Sequence, residues 1–112
     1  MLQVIGTKKC AETRKSIRFC KEHSIDFQFV DLLARNLSDG EWNNIFQVID
    51  GASLIDENST YYKKEGYAWL SYDPEEELRL HPQLLKTPLL RKARKVIVGH
   101  NVTFLQTLQE SS

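Results

Sequence analysis

Leu2, Val4 and Ile5 form a short apolar run closed by Gly6 and Thr7, the pattern of a strand entering a turn. The following AETRKSIRFCKEHS has helix-forming composition, with Thr13, Ile17, Cys20 and Ser24 on one stripe at spacings of four, three and four. Apolar and polar residues then alternate from Ile25 to Val30, which predicts a second strand. LSDGEWNNIFQVI opens with Ser38 and carries Glu41 three residues later, a capping box ahead of an apolar face of Trp42, Ile45, Phe46 and Ile49. NSTYYKKEGY predicts a short helix stopped by Gly66. YDPEEELRLHP predicts another, with Asp73 as cap, Pro74 at its first position and Pro82 at its end. TPLL and KVIVG, separated by RKAR, read as a β-hairpin. A last helix over HNVTFLQTL is capped by Asn101 and bears Val102, Leu105 and Leu108.

The order is β-α-β, a helical insertion over about residues 38–82, then β-β-α, with no repeat, linker or low-complexity segment. The first half implies parallel strands joined by a right-handed crossover. The second adds an antiparallel pair and a covering helix. This is the order of a thioredoxin-like α/β fold with a four-stranded mixed sheet, and 112 residues correspond to a single domain, residues 1–112.

Composition narrows the setting. With 41% hydrophobic and 27% charged residues the chain is an ordinary globular sequence. A formal net charge of zero supplies no long-range field favouring nucleic acid or an anionic membrane. The apolar opening MLQVIG is too short for a signal h-region or a membrane span, so the cytoplasm is expected. There the two cysteines are expected as free thiols. His23, His81 and His100 are scattered without ligand spacing, so no metal site is expected. RKARK places four cations in five residues, but at a hairpin turn and without interleaved aromatics, so it reads as a solvated turn.

The candidate chemistry lies in GTKKCAETRK. Cys10 follows a strand and opens a helix, where unpaired N–H groups and the macrodipole favour a thiolate. Lys8, Lys9 and Arg14 add positive charge nearby. The position three residues on, where a dithiol enzyme carries its second cysteine, is Thr13, whose hydroxyl can donate a hydrogen bond to the thiolate but cannot resolve a mixed disulfide. Nor can Cys20: ten residues of helix rise about 15 Å, whereas a disulfide needs Cα atoms within roughly 7 Å. Cys20 is read as a core residue. Any turnover at Cys10 would then have to be monothiol, with the mixed disulfide cleared by an external thiol such as glutathione; the other reading is a semi-exposed, unreactive cysteine.

The whole chain resembles the arsenate reductase (ArsC)/Spx family. CAETRKSIRFCKEHSIDFQFVDL resembles the family's opening, LSDGEWNNIF its second helix, and LHPQLLKTPLL with KVIVGHNVTFLQTL its closing segments. The resemblance implies a glutaredoxin-like monothiol oxidoreductase with Cys10 as nucleophile and Thr13 and Arg14 beside it. Lys9, Thr87, Pro88, Gly99 and Asn101 are then the positions that hold substrate or glutathione. Thr87-Pro88 is expected in cis, its backbone pairing with an extended peptide or with glutathione. Gly99 and Asn101 precede a helix start suited to a γ-glutamyl carboxylate, although Asn101 can equally serve as a plain cap. Glutathione is implied as co-substrate, or else a small thiol-reactive substrate, with no bound cofactor and a monomeric chain.

The departures from the family bear on the substrate. Arsenate reductases clamp the oxyanion with three arginines, and here those positions fall at Thr87, near Asp56 and near Gly99–His100. Without charge-assisted arginine contacts, arsenate reduction is not expected. An alternative is a Spx-like regulator that binds the C-terminal domain of the RNA polymerase α-subunit. KVIVGHN and the placement of Gly51 resemble that group, while its CxxC switch is lacking. A catalytically silent adaptor is the third reading.

Overall fold

Leu2 and Val4 sit two residues apart on β1 (Leu2–Gly6), and that alternation puts both into one apolar layer. The computed structural model describes residues 1–110. β1 is the centre of a four-stranded mixed sheet of order β2-β1-β3-β4, with β2 (Phe27–Asp31), β3 (Leu89–Lys92) and β4 (Lys95–Val98). It runs parallel to β2, with Val4 opposite Phe29, and antiparallel to β3, with Val4 opposite Leu90. β3 and β4 form the hairpin, with Leu90 opposite Ile97. The helices are α1 (Ala11–Glu22), α2 (Asp39–Val48), α3 (Gly51–Leu54), α4 (Thr60–Lys64), α5 (Pro74–Leu80) and α6 (Val102–Glu110). This is the predicted β-α-β, helical insertion, β-β-α order.

The chain divides into two compact units, residues 1–35 with 87–112, and residues 36–86. In the first, Leu2, Val4 and Leu90 from the sheet meet Cys20 of α1, Ile25 and Leu105 of α6, with Phe104 and Leu108 packed around them. In the second, Trp42, Ile45, Leu54, Leu78 and Leu84 are buried. Ser38 and Glu41 make the reciprocal capping box, Ser59 and Asp73 cap α4 and α5 with their side chains, and Gly66 takes φ 70 after α4. Among the described residues no helix is long and apolar enough to cross a membrane.

Three local expectations are corrected. Ser24 is not on the helical stripe. It takes φ 55 just past α1, and Ile25 N–H reaches back to the Cys20 carbonyl at 2.9 Å, a left-handed C-terminal closure. Of the hairpin cations, Arg91, Lys92 and Lys95 lie in the strands and only Ala93 and Arg94 make the turn. On α6, Val102 is exposed and the buried face runs through Phe104, Leu105 and Leu108.

The two units divide the charge unevenly. The first carries eleven lysines and arginines against five acids, the second four against ten. A chain neutral by count is thus a unit of +6 and a unit of −6.

Candidate thiol site

β1 ends at Gly6, the chain turns through Thr7–Lys9 with the Cys10 N–H on the Thr7 carbonyl at 3.1 Å, and α1 begins. Cys10 is the N-cap, with extended φ −84 and ψ 120, and its carbonyl receives the Arg14 N–H at 3.1 Å. In the thiol form the Sγ donates to the Thr87 carbonyl, with an S···O distance of 3.6 Å. Burial of the sulfur pushes its pKa up. The Thr13 and Thr87 side chains and the backbone N–H groups of Thr13 and Glu12 act in the opposite direction and prevail, leaving the thiol below its ordinary value. Cys20, by contrast, is pushed up to about 11 by burial alone.

Thr13 deserves its central place because of what surrounds it. A Cβ at Gly6 would overlap the Thr13 hydroxyl and lie 2.9 Å from its Cγ2, so glycine at the end of β1 is what lets the first turn of α1 approach. The Thr13 hydroxyl is fully buried and meets no hydrogen-bond partner among the described residues, and it is among the groups that lower the Cys10 pKa. A hydroxyl so placed can donate to the Cys10 thiolate, and that donation is the sense in which Thr13 lowers the pKa.

The structure brings Cys10, Thr13, Thr87 and Pro88 together. The Thr87-Pro88 bond is cis, and the Pro88 carbonyl accepts the N–H of Gly99, which has φ 88, at 2.8 Å. Asn101 caps α6, its Oδ1 accepting the Phe104 N–H at 2.9 Å. Arg14 turns back to donate to the Lys8 carbonyl at 2.8 Å, and Lys9 lies exposed in the turn before the cysteine. Asp56, in the second unit, closes a local turn by accepting the Asn58 N–H at 2.9 Å. Gly51 is buried there, where a Cβ would lie 2.5 Å from Glu75 Cγ, so packing accounts for that glycine.

One pair was not legible in the sequence. Ser16, fully buried one turn beyond Thr13, shares a 2.7 Å hydrogen bond with His100 Nδ1, and Phe19 meets the same ring edge-on at 6.2 Å. The partners are 84 residues apart, so no local pattern announces the pair that ties α1 to the approach of α6. Among the described residues no cluster of His, Cys, Asp and Glu is arranged to hold a metal ion.

A mixed sheet of this order, with a helix-start cysteine against the residue before a cis proline, defines a thioredoxin-like fold. Solved structures of arsenate reductase-related proteins share this fold. The YffB protein matches with a TM-score of 0.82 at 18% identity, over 97% of this chain and 99% of its own. An arsenate reductase from Vibrio cholerae matches with a TM-score of 0.75 at 17% identity, over 96% of each chain. An arsenate reductase (ArsC) related protein from Brucella melitensis matches with a TM-score of 0.70 at 19% identity, over 95% of this chain and 92% of its own. At these identities the likeness is one of fold. No family model and no curated protein sequence matches the chain.

Proposed function

We propose that the protein is a glutaredoxin-like monothiol oxidoreductase of the arsenate reductase-like kind, working in the cytoplasm with glutathione as co-substrate. The observation that carries this reading is the placement of the Cys10 sulfur, at a helix start with a depressed pKa and 3.6 Å from the Thr87 carbonyl that precedes cis-Pro88. The Cys10 thiolate attacks the glutathione sulfur of a mixed disulfide. A Cys10–glutathione disulfide forms, and the substrate sulfur leaves as a thiolate that takes a proton from water. A second glutathione, deprotonated, then attacks the glutathione sulfur of that adduct, releasing oxidised glutathione and the Cys10 thiolate. In this reading Thr13 supports the anion at both ends of the cycle, and the Thr87 backbone aligns the substrate.

Arsenate fits poorly, since two of the positions at which the resemblance expects clamp arginines are Thr87 and Asp56, which carry no guanidinium. The test is intact mass after incubation with oxidised glutathione. A single glutathione adduct on the native protein, absent in Cys10→Ser and removed by reduced glutathione, is the expected result. No adduct, or robust glutathione-dependent arsenate reduction lost in Cys10→Ser, would overturn the reading.

A further inference from the structure

The outer face of α1 carries charge that the thiol chemistry leaves unused. Arg14, Ile17, Arg18 and Lys21 follow one another at helical spacing, and with Lys8 and Glu22 they line an open groove of about 350 Å³. Four cations and one acid surround it, and its floor is the half-buried Ile17. Among the described residues, Lys8, Arg14, Arg18 and Lys21 have no carboxylate partner, unlike Lys15, which pairs with Glu12 at 3.2 Å. The groove starts one turn from the nucleophile: Lys8 precedes Cys10 by two residues, and the Arg14 guanidinium bridges back to the Lys8 carbonyl at 2.8 Å.

We infer that this groove seats the acidic flank of a polypeptide whose own cysteine is presented to Cys10, so that the preferred substrate is a glutathionylated acidic protein segment. The inference rests on the monothiol reading and adds the substrate class to it. Charge complementarity selects the occupant: the unit that holds the thiol is +6, and four of its cations, Lys8, Arg14, Arg18 and Lys21, line the groove beside the helix start that carries the thiol. A nucleic acid would meet the same cations but has no sulfur to offer the nucleophile beside them, which favours the peptide. Geometry limits where the acids fall. From Cys10 to Lys21 α1 rises about 16 Å, a distance that about five residues of extended peptide cover. The acidic residues therefore lie within about five positions on one side of the target cysteine.

The test compares two synthetic peptides of equal length, each with one cysteine as its glutathione mixed disulfide, flanked by Glu and Asp in one and by Lys in the other. Hydroxyethyl disulfide serves as an uncharged control. At about 20 mM salt the acidic peptide is expected to exceed the basic one by about tenfold or more in kcat/KM, a gap that closes near 0.5 M. Arg18→Glu with Lys21→Glu should abolish the preference and leave turnover of hydroxyethyl disulfide unchanged. Binding without chemistry separates the two hypotheses, using the fluorescein-labelled acidic peptide with serine in place of cysteine. Salt-sensitive binding lost in the double variant supports the groove, even if no disulfide is turned over and the oxidoreductase reading fails. Equal kcat/KM for both peptides, with no binding of the serine peptide, overturns the groove and leaves that reading standing. Tighter binding of an oligothymidylate than of the acidic peptide overturns it as well.

Discussion

At Thr13 stability and reactivity pull apart. Its hydroxyl is buried without a hydrogen-bond partner among the described residues, and it lowers the Cys10 pKa by favouring the thiolate. Thr13→Val is therefore expected to raise the Cys10 pKa by about one unit or less, since a hydrogen bond to a charged group is worth about 1.5–3 kcal/mol when buried and less at a half-exposed helix start, and one unit is about 1.4 kcal/mol. Iodoacetamide alkylation rate against pH measures the shift. The same variant should be more stable than the parent at acid pH, by about 1 kcal/mol for removing an unpaired buried hydroxyl. The sign then changes with pH. A depressed folded-state pKa contributes stability above the unfolded thiol value, about 8.5, that is lost as pH falls through the folded value. The variant loses part of that contribution, so its advantage in urea unfolding should shrink as pH rises through that window.

The two cysteines should separate cleanly. Cys10 is half-buried with a lowered pKa, and Cys20 is fully buried and pushed up to about 11. Brief alkylation of the native protein at neutral pH is expected to modify Cys10 alone, with Cys20 labelled only after denaturation, as peptide mass mapping can read. Equal labelling would contradict that burial. Helix spacing was enough to place Cys20 in the core. The approach of Gly6 to Thr13, and the Ser16–His100 hydrogen bond, join residues far apart in sequence or differing in element, which no periodicity encodes.

At the scale of elements, what the sequence made readable was local chemistry. The Ser38–Glu41 box and the Asp73-Pro74 cap satisfy donors a few residues away, and both form as expected. The ends that depend on backbone conformation were harder to read. Ser24 at φ 55 closes α1 where glycine would be the usual choice, so the helical stripe runs two residues past the helix itself. Ser24→Gly is expected to stabilise the protein by about 0.5–1 kcal/mol by relieving the left-handed strain, less whatever the freer unfolded chain takes back. A rise in the urea midpoint at unchanged m-value would confirm it; a fall would mean that the serine side chain makes a compensating contact. Ala93, at φ 53 in the β3–β4 turn, has the same origin. There the cationic run suggested a longer loop than the two-residue turn that forms.

For the whole molecule, the strand and helix order was legible because each segment changes its hydrophobic period at its boundary. The partition of charge was not, since it appears only once residues 87–112 are known to join residues 1–35. That partition has a consequence at the bench. Near pH 6.8, where the chain's formal charges balance, average charge predicts passage through an ion-exchange column of either sign. A resin, however, responds to the patch that faces it, over about the Debye length of roughly 8–10 Å. The protein is expected to be retained at low salt by both a sulfonate and a quaternary-amine matrix. Arg18→Glu with Lys21→Glu should release it earlier from the first, while the second still holds it through the acids of residues 36–86.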